Sequence, residues 1–179
     1  MKLKIKLPEK YKTEILGVLL ISVSFLVFIS LLTYDTENDL AVLREFKSIG
    51  VFFKLFSFQV ENQGGVFGAI ISFILFVIFG YAAILLPIYG ILYGSKILFK
   101  FSVNKVSTNI LYLFLFLLDL GLVLNLSQVS QGFGFQIGKV TLGGWFSFLT
   151  AKIFLKIFGL TGSYTIGITI LILLAVLAT

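Results

Sequence analysis

Within the apolar sequence of this chain, the side chains with chemistry to offer are Asp119 and Asn125, close together in the stretch Thr108 to Leu126. An Asp at the centre of a membrane helix costs ~2.5–3.5 kcal/mol on insertion scales, so Asp119 is expected to face other helices, lie near an interface, or hold a proton. Two roles are open to it: a proton or ion ligand, or a plain interhelical hydrogen-bonding group near the headgroups. The second is the simpler, because no other apolar stretch holds a carboxylate or a basic partner. With no His and no Cys, imidazole bases, thiol nucleophiles, disulfides, most zinc sites and paired axial imidazoles are excluded. No phosphate-binding loop of the Gly-x-x-x-x-Gly-Lys-Ser/Thr type occurs, and no carboxylates pair at catalytic spacing within a segment. The sequence therefore assigns no catalytic, cofactor-binding or metal-ligating residue. A membrane enzyme acting on lipids has the least support.

The elements that must position Asp119 and Asn125 are membrane spans. Residues are 59% hydrophobic and only 12% charged, against ~25% charged in soluble domains. Ile15–Tyr34, Val66–Leu92, Thr108–Leu126 and Ser163–Thr179 are each about long enough to cross ~30 Å of hydrocarbon at 1.5 Å per residue. The expected fold class is all-α integral membrane. It has four transmembrane helices, a short interfacial or re-entrant helix at 145–158 before the last span, and an amphipathic helix in the first outer loop, where 42–58 alternates aromatic and aliphatic residues with charges.

Charge sets the expected orientation. Lys2, Lys4, Lys6, Lys10 and Lys12 form a basic start at 1–14, and Lys96, Lys100 and Lys105 lie in the loop 93–107, so both segments read as cytoplasmic. Loops 35–65 and 127–144 read as outer, which returns both termini to the cytoplasm. The first apolar run is longer than a signal-peptide h-region and Ser30–Tyr34 offers no small-x-small cleavage site, which favours an uncleaved anchor. Because apolar sequence runs up to Thr179 without a basic flank, the chain is expected to be cut before a cytoplasmic domain.

No charge occurs from Asn62 to Ser95, too long for a straight span, so tilt or a kink at Pro87, with an end at Gly90 or Gly94, is expected to absorb the excess. Gly64, Gly65 and Gly68 precede this span and Gly80 lies inside it, while Gly143, Gly144, Gly159 and Gly162 punctuate the end. These glycines serve close helix packing or loop and cap punctuation. A transporter or channel-like subunit with a polar site at Asp119 and Asn125 is the competing function. Its sequence test is internal symmetry: Gly64-Gly65 and Gly143-Gly144 each precede an apolar stretch, without a convincing repeat between the halves.

The order of a basic start, Tyr34-Asp35 at the outer end of the first span, the Asn-x-x-Gly-x-x-Gly-Ala element at Asn62–Ala69, Phe79-Gly80 and Pro87, Gly143-Gly144-Trp145, and Phe158-Gly159-Leu160-Thr161-Gly162-Ser163 resembles the N-terminal four-transmembrane domain of the FtsK/SpoIIIE family of bacterial DNA translocases. The resemblance covers nearly the whole chain; Asp119 has no place in its pattern. It implies an inner-membrane anchor at the division septum, serving chromosome partition and cell division beside divisome membrane proteins. It also implies a homo-oligomer, hexameric through a motor absent from this chain. Cofactors are then none here, with ATP, Mg and DNA bound only by that motor. Asn62, Gly64, Gly65, Gly68, Gly80, Pro87, Gly143, Gly144, Gly159 and Gly162 are the structural residues.

Overall fold

The computed structural model describes residues 9–36, 39, 60–99, 106–135 and 142–177. The expected helix at 42–58 lies outside them, as do Lys2, Lys4, Lys6, Lys100 and Lys105. Helix α1 is Glu9–Leu32, α2 is Gly65–Phe79, a 3-10 helix follows at Gly80–Ile84, α3 is Leu85–Leu98, α4 is Val106–Ser130 and α5 is Gly144–Leu177. No strand occurs among the described residues. Four helical runs are long and apolar enough to span a membrane: Tyr11–Leu32, Gly65–Leu98, Asn109–Ser130 and Gly144–Leu177. Helix is the form such sequence must take, since lipid offers no partner for a backbone N–H or carbonyl.

Two of these runs are not straight rods. The second breaks at Gly80, whose φ of 60° and ψ of −146° lie where essentially only glycine goes. The expected kink at Pro87 is therefore misplaced. Pro87 sits in the first turn of α3, where its missing N–H costs nothing, and Gly90 and Gly94 lie inside that helix rather than ending it. The fourth run breaks at Gly159, with φ 66° and ψ −177°. Both arms of α5 pack on one stretch of α4. Gly144 and Ser147 meet Asn125 and Leu118, while Gly167 lies against Val123 and Leu122. A straight helix would separate residues 144 and 167 by ~35 Å. So α5 doubles back at Gly159, and the arm 144–158 is distinct from the return arm that begins at Leu160.

Small residues bring α1 and α3 into contact along their length. Gly94 packs on Gly17 and Ile21, and Gly90 on Ser24, whose hydroxyl lies where a side chain at Gly90 would have to go. Between lipid-solvated helices no hydrophobic drive favours association, so such close approach supplies the attraction. One apolar cluster joins Leu31, Phe76, Phe79, Ala82, Ala83 and Leu117, tying α1, α2 and the 3-10 helix to α4. A second joins Leu122, Leu126 and Ala151 between α4 and α5.

The breaks expose a repeat that the sequence reading missed. Gly64, Gly65, Phe67, Ile74, Ile78, Phe79 and Gly80 recur at one constant offset as Gly143, Gly144, Phe146, Ile153, Ile157, Phe158 and Gly159. Gly65 and Gly144 each open a helix with positive φ, at 64° and 75°, and Gly80 and Gly159 each close one. In the preceding helices Thr13, Ile15 and Leu16 recur as Thr108, Ile110 and Leu111, which pairs Ser30 with Asn125 and Leu31 with Leu126; all four are buried. Each half is thus a long helix, a connection, a short arm, a glycine break and a return helix.

Candidate functional site

The polar residues inside this protein gather at two backbone clasps, one in each half. In the first, the Asn62 amide donates to the Ser30 carbonyl at 2.8 Å and, more weakly, to Asp39 Oδ2 at 3.4 Å. Its Oδ1 accepts the Gly64 N–H at 2.9 Å, and its own carbonyl accepts the Gly65 N–H at 2.8 Å. Ser30 lies in the last turn of α1, whose carbonyls have no intrahelical partner, while Gly64 precedes the first turn of α2, whose N–H groups have none. One side chain thus satisfies a helix end and a helix start together. The Gln63 N–H adds a bond to Thr33 Oγ1 at 3.1 Å. A side chain at Gly64 or Gly68 would collide with the Ser30 hydroxyl and with Asn62 Oδ1.

Asp39 and Tyr34 close this clasp. Asp39 is fully buried; its Oδ2 accepts the Asp35 N–H at 3.0 Å, and its Oδ1 has no partner among the described residues. Tyr34 leans on Phe76, their ring centroids 5.4 Å apart. Burial first, then the charges of Asp39 and Asp35, push the Tyr34 hydroxyl up to about 12.

The second clasp is built on Asn125. Its Nδ2 donates to the Gly144 carbonyl at 3.1 Å and its Oδ1 accepts the Gly143 N–H at 3.0 Å. The Ser147 hydroxyl donates to the Leu118 carbonyl at 2.9 Å. Gly143 lies against the backbone of Gly121, so any side chain there would overlap main chain. Leu142 immediately before accepts the Tyr81 N–H at 2.9 Å, which fastens the clasp to the break at Gly80 in the other half. At the second break, Ser163 is buried and donates to the Gly159 carbonyl at 2.6 Å.

The candidate residues thus separate into distinct places. Asn62, Gly64, Gly65 and Gly68 form one clasp; Asn125, Gly143 and Gly144 form the other. Gly80 and Gly159 are breaks, Pro87 is buried at the start of α3, and Gly162 lies on the return arm against Phe158. No described hydrogen bond joins Asp119 to Asn125. The Asn125 amide is occupied at both ends, while Asp119 sits near Gly167 with its Oδ2 buried and unpartnered among the described residues. Lys12 and Lys96 are exposed near the contact of Gly17 with Gly94. Sequence reading missed Ser30, Ser147, Gly121 and the Gly17 and Ser24 packing positions. The spacing of Gly17 and Ser24, two helical turns, was their available signal.

No group of three or more His, Cys, Asp or Glu among the described residues could hold a metal ion. What the arrangement can do is structural: it fixes short helical arms inside a membrane unit by satisfying their backbone ends. No curated protein and no solved structure matches the chain. The sequence does match a family over residues 9–179, nearly its whole length, and the chain therefore belongs to the 4TM region of DNA translocase FtsK/SpoIIIE.

Proposed function

We propose that this chain is the membrane-anchoring and division-septum-targeting domain of a DNA translocase acting in cell division and chromosome partition. Membership of the translocase 4TM family carries this reading. Its partners are the lipid bilayer, divisome membrane proteins and further copies of itself. DNA, ATP and Mg belong to a motor domain that this chain serves as anchor, and the chain itself is not an enzyme. It resides in the bacterial inner membrane as a multi-pass protein with both termini cytoplasmic. In support, Lys12 at the start of α1 and Lys96 in the last turn of α3 lie at the same end of the packed pair, since Gly17 meets Gly94 there. Positive charge gathered at one membrane face is the mark of the cytoplasmic side.

The test is a fluorescent fusion of the chain in dividing cells, with topology reporters at both termini. Septal bands and cytoplasmic reporters are expected; an even membrane signal in dividing cells overturns the targeting function. The transporter-like reading keeps one observation, the buried and unpartnered Asp119 Oδ2. Against it, Asn125 is held in a clasp and has no free amide for a ligand.

A further inference from the structure

The two halves meet head to tail, and the contact leaves each with one unused face. At the junction, Ile78, Phe79 and Gly80 of the first half press on α4 and on Gly144 of the second. Phe79 meets Phe114 edge-on at 5.9 Å, Leu117 is fully buried, and a side chain at Gly144 would overlap the Ile78 carbonyl. The counterparts of the first half's face are Ile157, Phe158 and Gly159, and all three are exposed. Phe79 is 8% exposed, whereas Phe158 is 47% exposed. The counterparts of the receiving face, Leu113, Leu117 and Leu118, are Val18, Ser22 and Val23 on α1, likewise exposed. Gly65, the counterpart of Gly144, has open space where Gly144 has the Ile78 backbone.

A two-fold relation between the halves would have buried both faces. A head-to-tail relation instead presents the same pair of complementary surfaces at the two sides of the chain. An exposed apolar side chain on a membrane helix ordinarily faces lipid. Here the protein itself displays what fits the surface, because an equivalent surface is already covered by its own other half. We propose that a second copy of this chain docks its Val18–Ser22–Val23 face and its Gly65 end onto the Ile157–Phe158–Gly159 face of the first, repeating the internal junction between chains. The occupant is chosen by correspondence of residues at an interface present within the chain. The inference is independent of septal targeting.

The test exploits the absence of cysteine from the sequence. Ser22→Cys and Phe158→Cys are placed in separate, differently tagged full chains, co-expressed, and treated in native membranes with a short bismaleimide. A product carrying both tags is expected, and it should be lost when Leu16→Cys replaces Ser22→Cys. Leu16 corresponds to Leu111, which remains exposed at the internal junction. Val23→Cys with Ile157→Cys provides a second pair on exposed positions, so a folding defect in one variant does not decide the result. Products formed only between identical cysteines, or formed equally well by the Leu16→Cys control, overturn the head-to-tail interface, as does the absence of any mixed product from both pairs.

Discussion

Gly80 and Gly159 hold closely related backbone conformations, φ 60° with ψ −146° and φ 66° with ψ −177°, and each ends a helix opened by a positive-φ glycine. That region of backbone space is nearly closed to residues with a Cβ, at a cost of ~1–3 kcal/mol. At Gly159 an added Cβ meets nothing within 4 Å, so the penalty there is conformational alone. Gly159→Ala is expected to lower stability by ~1–3 kcal/mol without a packing clash. Denaturant titration in detergent measures it; an unchanged midpoint would mean that the break is not held as described.

Gly143→Ala should be worse than Gly65→Ala. At Gly143 the new methyl overlaps the Gly121 main chain, which no rotamer change can relieve, whereas at Gly65 the surroundings are open and the cost is that of a positive φ. Overpacking a tight contact costs ~1–3 kcal/mol and more where backbone must move. Comparing melting temperatures of the two variants in one detergent checks the order, and equal losses contradict it.

Asn62 replacements should rank by what they leave unpaired. Asn62→Ala strands the Ser30 carbonyl and the Gly64 N–H in a buried place, for a loss of ~1–3 kcal/mol per stranded group. Asn62→Asp removes the donor as well and sets a second carboxylate beside Asp39 Oδ2, so it is expected to be the less stable of the two at neutral pH. Thermal melts of the two variants at neutral pH decide the order, and an Asp variant as stable as wild type rejects the clasp.

Much of this was legible in the sequence and some was not, for reasons visible in particular residues. The spans could be read because long runs free of charge admit few other structures. The glycine pairs stood out because close approach and positive φ restrict residue choice at Gly65, Gly80, Gly143 and Gly144. The repeat was hidden because equivalent positions drift among apolar types, as Ile70 and Leu149 or Leu75 and Phe154 show. The connection between Ser30 and Gly64 is also much longer than that between Asn125 and Gly143, which breaks any simple period. The kink was assigned to Pro87 because proline is the familiar breaker. In the fold that proline occupies a first turn, and glycine makes the break.

Asp119 separates an anchor from a transport protein. Its Oδ2 is buried without a partner among the described residues, and Gly167 of the return arm lies beside it. A ligand site needs that carboxylate, whereas an anchor only bears the ~2.5–3.5 kcal/mol that a charged Asp costs within a span. Asp119→Asn keeps the shape and removes the charge. On the anchor reading the variant inserts at least as well as wild type and its fluorescent fusion retains its septal band; on the transport reading it loses function. Membrane-fraction yield and septal intensity, compared with wild type in the same cells, give the answer. Loss of the septal band at undiminished membrane yield would assign Asp119 a working role and displace the purely structural account of the polar residues inside this bundle.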